Sequence, residues 1–515
     1  MKPVDIASIF HICKQKSSAT VQIDKIIMQN ISNQSLIKTS SFIHGQWLGS
    51  EHTFDVINPA TQESIASISE INSFQLERAI ISAFDALSTW QNLSNAIRAE
   101  KLNRWQELMR DNVDDLARLL TLEQGKPFRE ARGEILHAAN YMKLYSELST
   151  DLEMSRKVGA SIDQIAHVFR RPIGVVTAIT PWNFPCAMVL RKAAAAMAAG
   201  CTVVLKPSES TPLSALALTQ LSVDAGIPAG VFNVVVGSNA QSIGEILTQH
   251  TKVAKFSFTG STKVGKKLLQ QCASGIKRTS MELGGNAPFI VFEDADLDVA
   301  VDGAIASKFR NAGQTCVTAN RFLIHKDVMQ DFISRLIDKT KELNIGNGFE
   351  PSTDLGPLIN SLAIDKMNRL IDKALTEGAE LLLGGKRNFQ ENGEQAKGYF
   401  FQPTILKSIT PDMEIFNREI FGPIVVITNF ENDSQAIELA NQTELGLCAY
   451  VYTQNQQRIS NIAAKLQVGM LGINEARLSN PAAPFGGIKQ SGMGREGGHY
   501  GIEEYLDYQY VCIKE

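Results

Sequence analysis

GVVTAITPWNFPCAMVLRKAAAAMAAGCTVVL, residues 174–205, holds a β-branched run, a proline-bracketed turn, an alanine-rich stretch and a second β-branched run. The runs at 174–179 and 202–205 have the length and Val/Ile content of buried strands, and 187–199 has the length and composition of a helix. The alternation continues with a helix over 213–225, a strand at 231–236, a helix near 243–247 and a strand at 255–258. Strands and helices in this order imply a parallel sheet covered on both faces. Such sheets bind ligands at the carboxyl ends of their strands, where loops meet helix N-termini. A second α/β stretch runs from about 288 to 480, with strands at 289–292, 425–427 and 449–452, and residues 73–149 read as helices.

With 515 residues the chain exceeds one core, so two or three domains are expected. The absence of any long linker or internal repeat implies that they pack together around a cleft. A net charge of −4 leaves no basic footprint for nucleic acid and no polybasic patch for a membrane. No apolar run reaches bilayer length. The seven cysteines are scattered, with no Cys-x-x-Cys pair, and the eight histidines lack metal-ligand spacing. These features point to a reducing compartment, the cytoplasm or the mitochondrial matrix, and to no metal. Residues 1–40 are polar and lack a secretory apolar core, and are expected to form a loosely docked extension.

The chemistry-bearing residues sit where the strands end. After 174–179 come Trp182 and Asn183 between two prolines. Asn183 is either a turn former or a rigid amide donor for a developing oxyanion. After 202–205 come Lys206 and Glu209, either a solvated pair or ligands for nucleotide hydroxyls. After 255–258, Gly260, Ser261 and Gly265 place close-approach glycines and a hydroxyl at a helix start, where a pyrophosphate is welcome. Glu282 precedes Gly284 and Gly285, as an incidental acid at a helix C-cap or as a general base on a mobile backbone. Glu419 and Phe421 share one tight turn and suit a ribose and a planar ring. Cys316 closes the small-residue turn FRNAGQTC, six positions after the fixed charge of Arg310. It is either a small buried hydrophobe or a nucleophile whose thiolate that charge favours.

Trp182-Asn-Phe-Pro, Lys206-Pro-Ser-Glu, Phe258-Thr-Gly-Ser, Glu282-Leu-Gly-Gly, Gly313-Gln-Thr-Cys, Glu419-Ile-Phe-Gly-Pro and Pro484-Phe-Gly-Gly stand in one order at long separations. Together they resemble the aldehyde dehydrogenases over residues 42–515. The resemblance implies a Rossmann-like NAD(P)-binding domain (41–150 and 173–284), an α/β catalytic domain (285–484) and a β-hairpin oligomerisation arm (151–172 and 498–515). It implies NAD, with NADP possible, and a homodimer or homotetramer. It implies that Cys316 is the nucleophile, Asn183 the oxyanion donor, Glu282 the base and Lys192 a proton relay. It also implies that Trp182, Lys206, Glu209, Gly260, Ser261, Gly265, Glu419 and Phe421 line the cofactor site.

Within the family, the segments around Arg191, Arg310 and residues 498–505 are similar to succinate-semialdehyde dehydrogenases. That resemblance implies Arg191, Arg310 and Ser479 as the holders of the substrate's distal carboxylate. The loop carrying Ser479 departs from those enzymes in an additional arginine, Arg477, and in Pro481. The competing substrates are glutarate semialdehyde and plain aldehydes. From other classes, a cysteine hydrolase or acyltransferase would need a histidine partner for Cys316, and a binding protein would need none of this set.

Overall fold

The computed structural model describes residues 28–161, 164–386 and 397–514. At the heart of the first domain lie five parallel strands: β1 (Val175–Ile179), β2 (Thr202–Lys206), β3 (Phe232–Val234), β4 (Val253–Thr259) and β5 (Arg278–Glu282). They stand in the order β3-β2-β1-β4-β5. All five residues of β2 are buried, as a parallel strand covered on both faces requires. Short antiparallel strands extend the sheet at both edges, Ser41–Ile43 with Gln46–Leu48 beside β3 and Gly492–Met493 beside β5. The strand order reverses between β1 and β4, which opens a crevice over their carboxyl ends.

Helices α2 (Pro185–Ala198) and α3 (Pro212–Asp224) pack on this sheet, and α1 (Phe128–Asp151) packs on α2. Pro185 starts α2, where the missing N–H is not needed. No side chain of its own N-cap residue serves α2; instead Glu134 on α1 accepts from the backbone N of Cys186 and Ala187 at 2.9 and 3.1 Å. Every residue of α2 is buried, so Arg191 and Lys192 are two charges carried inside an otherwise apolar helix.

The second domain is built on β6 (Ala287–Val291), β7 (Ala319–His325), β8 (Thr404–Lys407), β9 (Ile424–Phe430), β10 (Cys448–Tyr452) and β11 (Met470–Ile473). These six are parallel in the order β8-β9-β7-β6-β10-β11, with Glu380–Leu383 antiparallel at the edge. Ser155–Ser161, Gln164–Pro172 and Leu506–Lys514 form a separate antiparallel sheet that exposes Tyr508, Tyr510 and Ile513. Among the described residues no helix is long and apolar enough to cross a membrane.

Two expectations change. Residues 1–27 of the expected N-terminal extension lie outside the described residues, but 28–40 are docked. Ile31 and Leu36 are buried in the core, and Asp115 accepts from the backbone N of Ser32 and Asn33. Glu282 closes a strand, not a helix, so the helix-cap reading of the following glycines falls.

Candidate active site

Cys316 owes its position to a strained turn. After α4 (Leu297–Phe309) the chain passes Arg310 and then three left-handed residues, Asn311 (φ 51), Ala312 (φ 53) and Gly313 (φ 74). L-residues rarely adopt this conformation unless their surroundings hold them there. Here the hold is explicit. Asn311 donates its backbone N to Glu130 Oε2 (2.9 Å) and its Nδ2 to Asn183 O (3.0 Å), and accepts from Gln124 Nε2 (2.9 Å). A Cβ on Gly313 would lie 2.3 Å from Gly422 O, and one on Gly285 would lie 2.2 Å from Cys316 O. Both glycines are therefore required for the turn to seat.

Two cavities meet at Cys316. The first, about 440 Å³, spans the carboxyl ends of β1, β2 and β4. Its wall brings together Trp182, Asn183, Lys206, Glu209, Gly260, Ser261, Glu282, Glu419 and Phe421 with Cys316. Lys206 Nζ lies 3.1 Å from Pro207 O and 3.4 Å from Glu209 Oε2, and burial lowers its pKa against the pull of Glu209. Ser261 caps the helix Thr262–Ala273. Glu419 accepts from Gly285 N at 3.0 Å, and the rings of Trp182 and Phe421 meet edge to face at 5.5 Å. The hydroxyls of Thr180 and Thr259 line this wall, buried and without a partner among the described residues. A dinucleotide fits this donor set. Gly265 does not face the cavity: a Cβ there would strike Leu283 Cδ2 at 2.4 Å, so it serves helix–strand packing, not a phosphate.

The second cavity, about 470 Å³, opens on the other side of the thiol and contains Arg191, Arg310, Arg477, Ser479 and His137. Arg191 is buried, its guanidinium 4.1 Å from the centre of the Phe485 ring and 4.8 Å from that of Tyr141. Its Nη2 donates to Ser479 Oγ at 2.6 Å, while Nε and Nη1 have no hydrogen-bond partner among the described residues. Ser479 Oγ also lies 2.8 Å from His137 Nε2. Burial, aided by Arg191 and Arg310, pushes His137 down to about 4, so its imidazole is neutral at neutral pH. Ser479, expected to touch the substrate's carboxylate, is thus already engaged by Arg191 and His137. Arg310 stands exposed at the mouth, 5.2 Å from the centre of the Phe184 ring.

The electrostatics depart from expectation at Cys316. Arg191 and Arg310 both favour the thiolate, but burial and the carboxyls of Glu282 and Glu419 prevail, pushing Cys316 up to about 12. The protein alone therefore holds a neutral thiol. Glu282 is raised well above the usual carboxylate range by burial and by Glu496, opposed by Lys192 and Arg191. Lys192 lines neither cavity. It is buried behind Glu282, with its Nζ 2.7 Å from Glu496 Oε1.

Asn183 donates one amide hydrogen to Gln314 O at 2.9 Å, and its own carbonyl is gripped by Lys126 Nζ at 2.7 Å, an ammonium that also pairs with Glu134 at 2.7 Å. Lys126, Glu134, His137, Glu496 and Lys366, the last a wall of the first cavity, were not found from sequence. Glu496 had the one visible signal, an acid at the end of the Gly-rich stretch 484–496. Among the described residues no histidine is hydrogen-bonded to Cys316, which removes the pairing a cysteine hydrolase needs.

Residues 47–511 match the model of the aldehyde dehydrogenase family. The 3-sulfolactaldehyde dehydrogenase of Pseudomonas putida is 47% identical, over 94% of this chain and 99% of its own. The NADP(+)-dependent succinate-semialdehyde dehydrogenase of Escherichia coli is 47% identical, again over 94% of this chain and 99% of its own. The crystal structure of Staphylococcus aureus betaine aldehyde dehydrogenase with NAD+ superposes with a TM-score of 0.92 at 33% identity, covering 95% of this chain and 97% of that one.

Proposed function

The chain belongs to the aldehyde dehydrogenase family, and from that premise we propose that it oxidises succinate semialdehyde to succinate with NAD, NADP being the weaker cofactor. The observation that carries this reading is that Cys316 is the wall shared by two cavities, one furnished for a dinucleotide and the other with three arginines. A four-carbon aldehyde with its carbonyl at the thiol extends its carboxylate toward Arg310 and toward Arg191, whose Nε and Nη1 make no hydrogen bond among the described residues and whose Nη1 has Glu496 at 3.9 Å. Charge-assisted hydrogen bonds of this kind are worth roughly 1.5–3 kcal/mol each.

Cys316 Sγ adds to the carbonyl carbon, and its proton passes to solvent water in the first cavity as the bond forms. The resulting oxyanion lies between the Asn183 amide and the Cys316 backbone N–H. Bound in the first cavity, the oxidised nicotinamide dinucleotide supplies the hydride acceptor. Glu282 then takes a proton from the water that releases the acid from the cysteine thioester, and Lys192 with Glu496 lies behind it to move that proton on. Glu209 would accept from adenosine ribose hydroxyls and disfavour a 2′-phosphate, with Lys206 moderating the effect. The exposed aromatic face of the arm sheet supports assembly into a homodimer or homotetramer.

The test is absorbance at 340 nm with succinate semialdehyde and butanal as parallel substrates. Arg310→Ala is expected to lower kcat/KM for the semialdehyde by roughly ten- to a hundredfold and to leave butanal nearly unchanged. An equal fall for both substrates would sink the assignment.

A further inference from the structure

Arg310 and Arg477 differ from the other described arginines of residues 285–484. Arg335, Arg369, Arg418 and Arg458 are ion-paired, and the buried Arg321 donates to backbone carbonyls. Of the described arginines of residues 285–484, Arg310 and Arg477 alone hold guanidiniums with neither an ion pair nor a hydrogen bond among the described residues. The nearby acids are committed elsewhere. Glu475 accepts from the backbone N of Arg477 at 2.7 Å, Glu130 from the backbone N of Asn311, and Asp354 pairs with Arg129. The same two arginines also line a third cavity of about 450 Å³, which adjoins the second along Glu130, Thr315 and Val317. The pocket beyond the thiol is thus roomier than a four-carbon chain demands, and it offers three guanidiniums where a planar carboxylate presents two oxygens.

We propose that Arg477 is a specificity residue that reads a third oxygen on the substrate's far end, so that this site accepts short aldehydes ending in a tetrahedral oxyanion, sulfonate or phosphonate, as well as carboxylate. This rests on the reading of the second cavity as the place of the distal anion. Arg191 and Arg310 serve two oxygens of the head group, as they serve a carboxylate, and Arg477 takes the one a carboxylate lacks. A guanidinium fork suits one edge of an oxyanion, so three forks match three oxygens in count and in charge-assisted bonding. Arg477 stands exposed on a loop, so its removal does not open the core.

The experiment compares succinate semialdehyde, 3-sulfopropanal and 3-phosphonopropanal, three aldehydes with the same two-methylene spacer, on wild type, Arg477→Ala and Arg477→Lys. Wild type is expected to oxidise all three. Arg477→Ala should raise KM at least about tenfold for a tetrahedral head group with kcat retained, against less than about threefold for the semialdehyde. Arg477→Lys should recover part of the loss. A loss shared by sulfonate and phosphonate supports the reading of a third oxygen, and a loss confined to the phosphonate, which would report only its second charge, overturns it. Equal effects on all three substrates, no effect on any, or a wild type inert toward both tetrahedral aldehydes while turning over the semialdehyde would overturn the proposal. Failure of the underlying reading looks different: Arg310→Ala would then leave succinate semialdehyde oxidation intact.

Discussion

On one side of Cys316 much of the wall is made where β1, β2 and β4 end, with Trp182, Asn183, Lys206, Glu209, Gly260 and Ser261 at or just beyond the strand ends. On the other side it is made by α1, α2 and the loop after β11, joined at Ser479 Oγ by bonds spanning 288 and 342 positions. The first wall is a consequence of the sheet, because parallel strands in the order 3-2-1-4-5 present their carboxyl-end loops to one crevice. The second wall is a consequence of packing between distant segments. The cofactor side should therefore respond to substitution residue by residue, and the anion side as a network.

The largest expected effect tests this network directly. Arg191 and Arg310 look equivalent as substrate forks, but Arg310 is exposed and unpaired while Arg191 is buried between two rings, bonded to Ser479 and 3.9 Å from Glu496. Arg191→Ala removes a cation 3.9 Å from Glu496, which keeps Lys192, and empties a buried site stacked between two rings, a large-to-small loss of roughly 2–5 kcal/mol. It should lower the melting temperature and reduce oxidation of butanal as well as of succinate semialdehyde by a hundredfold or more. Arg310→Ala should do neither to butanal nor to the melting temperature. If Arg191→Ala melts like wild type and spares butanal, the anion wall is a set of independent contacts.

A substitution on the cofactor side should act alone. Glu209 is 46% exposed and, among the described residues, paired only with Lys206, so Glu209→Gln disturbs no buried network. It removes one carboxylate acceptor and one repulsive charge. The ratio of kcat/KM for NADP to that for NAD should rise by roughly tenfold, at unchanged stability. An unchanged ratio would mean that Glu209 does not face the adenosine ribose.

The same difference explains what was legible in the sequence. β1, β2 and β4 and the residues beyond them were readable because periodicity marks a strand and the residues beyond it follow automatically. Arg191 and Arg310 were readable as residue types, but their states were not. Whether a guanidinium stacks between Phe485 and Tyr141 or stands open depends on segments hundreds of positions away. Cys316 shows the limit most plainly. The charge of Arg310 was visible six positions upstream, but the burial that outweighs it is a property of the whole packed site. The grip of Lys126 and Glu134 on Asn183 and α2 was invisible for the same reason.

The smallest effect comes from His137, the neutral member of the arginine wall. In the folded protein burial and the two arginines hold its pKa down to about 4, against an ordinary value of 6.5. Above pH 6.5 both folded and unfolded chains leave the imidazole neutral, and its contribution to stability does not change with pH. As pH falls from 6.5 toward 4 the unfolded chain takes up a proton that the folded one refuses, so stability declines across that window. The full span corresponds to at most about 3 kcal/mol, less whatever solvent reaches the ring. His137→Asn keeps a polar partner near Ser479 but cannot titrate. The drop in melting temperature between pH 7.5 and pH 5 should therefore be smaller in the variant than in wild type. The two proteins should differ mainly below pH 6.5, where the proton is taken up. Parallel melting curves through that range would mean that the imidazole is already relieved of the arginines' field in solution, and the anion wall would then be looser than its bond lengths indicate.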